Sequence, residues 1–250
     1  MNRAAAVTIA TLLFSAGTLG EAEGQSLCLY APGSDYCSCQ SAYERENDNL
    51  AVTICSAAIN QDPTRRLGQF SRYYRARALE RLGDFDRALA DFSAIIGRNP
   101  YETVGYTTRA SAFDRQERFE EAIADRNRVV ELEPEAAYAY NNRCYSFAQW
   151  GRFQDALADC NRALEIRPDD PYTLDSRGYA YLKAGMYGPA IADYDAALDE
   201  QPRLAVALYG RGVAKLRSGD AAGGEADIAA AMALDEDIAE TMADLGVTRN

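Results

Sequence analysis

The residues of this chain with the most chemistry to offer are its six cysteines. Cys39 and Cys55 lie sixteen residues apart, and the same interval separates Cys144 and Cys160. Such pairs can close disulfides, ligate a metal, work as a redox dithiol, or simply fill space as buried thiols. A metal is short of ligands, because the chain has no histidine and the Cys37-Ser38-Cys39 cluster lacks the two-residue gap of common zinc knuckles. No metal or cofactor is expected. Without histidine neither a Ser-His-Asp nor a Cys-His arrangement can be assembled from this chain. A carboxylate-based hydrolase using acids such as Glu80, Asp114 or Asp175 is the remaining enzymatic reading. No motif singles out a pair of acids, and no Gly-rich phosphate loop or nucleophile elbow is present. The expectation is that the protein is not an enzyme.

Composition narrows the partners. A net charge of -12 opposes binding to phosphate backbones, so no nucleic acid is expected. Hydrophobic residues make up 48 %, many of them alanine, and there are only eight prolines, which favours an all-helical chain. The N-terminus carries basic Arg3, an apolar run from Ala4 to Leu19, and then the small residues Gly20 and Ala22, the pattern of a secretory signal over 1–22. No later segment is long and apolar enough to span a bilayer. Cys28 is not preceded by the small residues of a lipidation site, and all six cysteines lie beyond the signal, as in exported proteins. A periplasmic or secreted location follows.

The elements that must position these residues are marked by proline. Pro100, Pro134, Pro168 and Pro202 recur every 34 residues. If proline is position 32 of a unit, position 8 holds Ala76, Ala110, Cys144, Gly178 and Gly212, and position 20 holds Ala88, Ala122, Ala156 and Ala190. Aromatic residues fill position 17 at Phe85, Phe119, Phe153 and Tyr187, with Leu79, Phe113, Phe147 and Tyr181 at position 11. That is the apolar spacing of paired amphipathic helices, with Gly83, Gly151, Gly185 and Gly219 at the turn between them.

The stretch "YLKAGMYGPAIADYDAALDEQP" resembles the tetratricopeptide repeat family, a 34-residue helix-turn-helix unit. The resemblance implies an all-α fold, a right-handed α-solenoid of stacked repeats with a C-terminal capping helix. Four segments are expected: the signal over 1–22, a Cys-rich segment with a degenerate repeat over 23–66, about five repeats over 67–235, and a capping helix and tail over 236–250. The register of Pro63 puts Cys39 and Cys55 at positions 8 and 24, where Cys144 and Cys160 also fall. Other units pair a small with a large residue there, Ala76 with Phe92 and Gly178 with Tyr194, so the two positions should meet and two cysteines should bridge them. Cys28 and Cys37 would then close a short loop, although Cys37 and Cys39 are interchangeable on this reasoning.

Two charged positions also repeat throughout: Arg75, Arg109, Arg143, Arg177 and Arg211 at position 7, and Asp91, Asp125, Asp159, Asp193 and Asp227 at position 23. A ligand site would seldom be copied into every unit, so a structural ladder of bidentate ion pairs is expected. The family resemblance also implies that positions 2, 5, 9, 12 and 13 of the first helices line a concave surface for a peptide. Here that surface reads Phe70, Tyr73, Arg77 and Arg81; Thr107, Asp114 and Arg115; Tyr138, Asn141 and Tyr145; Tyr172, Asp175, Tyr179 and Lys183; and Tyr209 and Arg217. Tyrosine combines contact area with a hydrogen-bonding tip at small entropic cost, as recognition surfaces require. A non-catalytic periplasmic scaffold or adaptor that binds a protein or peptide segment, and is itself monomeric, is the leading expectation. A self-associating envelope assembly protein is the alternative.

Overall fold

The computed structural model describes residues 35–61 and 66–249. The expected signal over 1–22, the interval after it and Cys28 lie outside the described residues. Among the described residues the chain forms thirteen α-helices and no strand, and the fold is an all-α solenoid of helix-turn-helix repeats. The helices keep the phase of the prolines. Helices α5 (Thr103–Asp114), α7 (Ala137–Gln149), α9 (Pro171–Lys183) and α11 (Ala205–Ser218) begin at position 1 of their units. Helices α4 (Phe85–Arg98), α6 (Phe119–Leu132), α8 (Phe153–Ile166), α10 (Tyr187–Glu200) and α12 (Ala221–Leu234) begin at position 17. Before them come α1 (Asp35–Glu44), α2 (Asp48–Gln61) and α3 (Arg66–Leu82); after them comes α13 (Ile238–Asp244). No described helix is long and apolar enough to cross a membrane.

Local capping explains few of these helices. Asp170 accepts a hydrogen bond from the Thr173 N–H with Pro171 at the first helical position, and Asp220 accepts one from the Gly223 N–H. The second helices are held instead by packing one stripe: α4 buries Ala88, Asp91, Phe92 and Ile95, the i, i+3, i+4, i+7 pattern. The turn at position 15 is left-handed in every hairpin. Gly83, Gly151, Gly185 and Gly219 have φ of 79°, 82°, 75° and 102°, and Glu46 and Glu117 adopt φ of 57° and 56° at the equivalent places. A non-glycine residue pays roughly 1 kcal/mol or more for that conformation, so the hairpin geometry prevails over local preference at both glutamates.

The described chain divides into two compact units, 35–116 and 117–249. In the first, one core cluster joins Tyr36, Cys39, Ala51, Cys55 and Tyr74, and another joins Ala76, Leu79, Ala88, Phe92 and Ile95. In the second, a single core runs from Ile123 to Val247. Tyr194 of α10 is its largest fully buried side chain, 1 % exposed. Its ring lies against Gly178 of α9 and Gly210 of α11, where an added Cβ would come within 3.0 Å and 2.5 Å of the ring atoms. The core ends under α13, whose Ile238 and Met242, with Val247 beyond, are buried against it.

Candidate functional site

Both sixteen-residue cysteine pairs are disulfides. Cys39–Cys55 links α1 to α2 with Cα atoms 4.8 Å apart, and Cys144–Cys160 links α7 to α8 at 5.4 Å. All four side chains are fully buried. The ambiguity of the Cys37-Ser38-Cys39 cluster is resolved: Cys39 takes Cys55, and Cys37 is disulfide-bonded elsewhere. The same small-large logic operates without sulfur where Gly178 faces the Tyr194 ring.

The arginine ladder is an internal fastening. In Arg75–Asp91, Arg143–Asp159, Arg177–Asp193 and Arg211–Asp227 the guanidinium donates through Nε and Nη2 to both carboxylate oxygens, at 2.6 to 2.8 Å. Nη1 of each arginine turns to the preceding repeat and meets position 25: Ser56 for Arg75, Ser93 for Arg109, Asn127 for Arg143, Asn161 for Arg177 and Asp195 for Arg211, at 2.7 to 2.9 Å. The guanidinium groups of Arg75, Arg143, Arg177 and Arg211 thus bind the second helix of their own hairpin and that of the one before. Position 25 was legible in the sequence as an unbroken series of hydrogen-bond acceptors. Burial alone would raise the Asp227 carboxyl, but hydrogen bonds from Arg211 and Lys215 hold it below the ordinary range. The hydrogen bond to Asp159 raises the Arg143 guanidinium above its usual value.

On the first helices of unit 35–116 the candidate groups satisfy one another. Arg77 donates to Glu80 at 3.0 Å, Glu80 also receives Arg115, and Arg81 lies 4.0 Å over the Tyr43 ring while bonding Asp48. Phe70 and Tyr73 pack into an aromatic cluster with Tyr36 and Tyr74. The Thr107 hydroxyl donates to the Thr103 carbonyl, and Asp114 is buried. Glu80 is thus held between two arginines.

The first helices of unit 117–249 differ. α7 packs on α9, and the rings of Tyr145 and Tyr179 meet with centroids 5.6 Å apart. One turn before each ring stand Asn141 and Asp175, so they share the face that the tyrosines mark. Tyr138, Tyr145 and Tyr172 are partly exposed, and the Tyr138 hydroxyl donates to Glu133. Tyr179 and Tyr209 are only 4 % and 3 % exposed and belong to the core. The Tyr179 hydroxyl and Lys183 Nζ both donate to the Leu245 carbonyl, and Arg217 donates to the Thr248 carbonyl, so the C-terminal residues cover this end of the face. Asn141 is 4 % exposed and its Oδ1 has no hydrogen-bond partner; the same holds for Oε1 of Gln149 two turns along. Asp175 keeps some solvent contact, yet burial pushes its carboxyl up to about 7, with no neighbouring charge contributing.

Two stretches match tetratricopeptide-repeat family models, residues 71–103 and residues 137–170, the second spanning positions 1 to 34 of the register built on proline. These two stretches are tetratricopeptide repeats. No curated protein matches it significantly. Among solved structures it is similar to a tetratricopeptide repeat protein from Parabacteroides merdae (18 % identity, TM-score 0.65, 85 % of this chain and 88 % of that one). It is also similar to PilW, a type IV pilus biogenesis factor (19 %, TM-score 0.66, 80 % and 91 %), and to TTC0263 from Thermus thermophilus (23 %, TM-score 0.58, 73 % and 97 %). At these identities the likeness shows the fold alone.

In this repeat solenoid the ladder has a testable role. Asp159→Ala removes both acceptors of a charge-assisted pair and is expected to cost about 2–3 kcal/mol. Urea unfolding monitored by circular dichroism reads this directly. An unchanged midpoint combined with lost partner binding would move the ladder from structure to recognition.

Proposed function

We propose that this protein is a non-catalytic interaction scaffold of the bacterial periplasm, holding an extended segment of a partner protein against the face made by α7 and α9. The observation that carries this reading is that partly exposed Tyr138 and Tyr145 share α7 with Asn141, whose buried Oδ1 lacks a partner, while partly exposed Tyr172 stands on α9, which packs on α7. An unmet amide group beside aromatic surface suits a peptide chain, which supplies N–H and C=O groups along with side chains to cover the rings. Export is supported by the apolar run after Arg3 and by disulfides, which persist in oxidising compartments. A monomer is supported by α13, whose buried Ile238 and Met242 close the end of the second core.

Crosslinking pull-down from an envelope extract tests this. Tyr138→Ala with Tyr172→Ala should reduce recovery of crosslinked partners at least about tenfold, since loss of well-buried aromatic anchors costs 1–2 kcal/mol or more each. The circular dichroism spectrum should be unchanged. Equal recovery by wild type and double variant would reject the face.

A further inference from the structure

Asp175 is the group on this face that the fold leaves unmatched. No hydrogen bond or ion pair reaches it from the described residues, although its solvent contact is restricted. Burial alone raises its carboxyl, with no contribution from a cation among the described residues. The buried Tyr194 of α10 lies within electrostatic reach of Asp175 and Tyr179 on α9, of Asp193 and of Tyr145 on α7. Asp193 is itself held by Arg177. On α11 the equivalent position is occupied by Tyr209. On the same face at position 13, Lys183 and Arg217 are engaged by the carbonyls of Leu245 and Thr248. At the equivalent position of α7, Asn141 Oδ1 is a second acceptor without a donor, on a residue more than nine-tenths buried. A fold gains nothing from an enclosed, uncompensated carboxylate. Both unmet groups are acceptors, and the chain as a whole carries a net charge of -12, so the complementary feature on a partner is positive and rich in donors.

We propose that Asp175 anchors a cationic side chain, lysine or arginine, presented by the extended segment that binds this face. The inference rests on the segment-binding reading above and specifies what that segment carries. Asp175 receives the charge, Tyr145 and Tyr172 supply aromatic surface for the aliphatic stem, and Asn141 receives a donor from the adjoining peptide unit.

The pH dependence follows by sign. The carboxyl rises from 3.8 to about 7 in the folded chain, so the native state holds this proton more tightly than the unfolded one. Its contribution to stability is therefore fully present below 3.8 and is lost as pH climbs from there through about 7. Asp175→Asn should remove that loss and melt at or above the wild-type temperature at pH 8. Cation binding needs the ionised form and should strengthen as pH rises past 7.

The full-length, oxidised protein can be tested by fluorescence polarisation against four heptapeptide pools, random except for a central lysine, arginine, norleucine or glutamate. The lysine and arginine pools should bind about 10- to 100-fold more tightly than the norleucine pool at pH 8, the range of a charge-assisted hydrogen bond in a restricted site. The preference should shrink below pH 7 and vanish in Asp175→Asn. Equal binding of the lysine and norleucine pools, or a preference that survives Asp175→Asn, would overturn the cation anchor and leave the interaction face standing. Failure of every pool to bind wild type would overturn both.

Discussion

Truncating Tyr194 to alanine is expected to destabilise the 117–249 unit by about 3–5 kcal/mol, the range for removing a large buried aromatic ring. The ring is 1 % exposed and fills the space between α9 and α11, where glycine at 178 and 210 lets the backbones approach. Collapse into the cavity is resisted because Arg177 and Arg211 hold these helices to α10, to α12 and to the preceding hairpin. The converse change, Gly210→Ala, forces a methyl to within 2.5 Å of the ring and should also destabilise. Urea unfolding of Tyr194→Ala, with Tyr194→Phe to separate the hydroxyl from the ring, measures the effect. A loss below about 1 kcal/mol would mean the interior relaxes far more readily than these contacts allow.

Replacing both Cys144 and Cys160 by alanine should cost about 3 kcal/mol, since the bridge closes a loop of roughly fifteen residues in the unfolded chain. Because both sulfurs are fully buried, dithiothreitol should reduce the bond only as the unit opens. The wild-type unfolding midpoint should therefore fall with reductant, while that of Cys144→Ala with Cys160→Ala should not respond through this bridge. Identical midpoints for wild type and the double variant under oxidising conditions would make the bond energetically idle.

Much of this arrangement follows from periodicity. Once helices repeat at a fixed 34-residue interval, residues at one position acquire one spatial task, so the four ladder pairs within units and both disulfides could be assigned without coordinates. The acceptors at position 25 were equally visible, but their meaning required knowing that an arginine can reach backward to the preceding hairpin. The left-handed turns at Glu46 and Glu117 could not be read from residue type, because propensity favours glycine there and the packed hairpin overrides it.

The binding face shows the same division more sharply. Sequence by itself determined the helical phase, the fastening residues and the set of side chains that share the first-helix face. Only tertiary structure decided which of them remain accessible: it withdrew Tyr179 and Tyr209 into the core, tied Lys183 and Arg217 to the C-terminal carbonyls, and left Asp175 and the Asn141 amide without partners. The physical reason is that periodicity fixes the direction of a side chain relative to its own helix, whereas exposure and pairing depend on the neighbouring repeat and the chain end, where the repeat gives no rule.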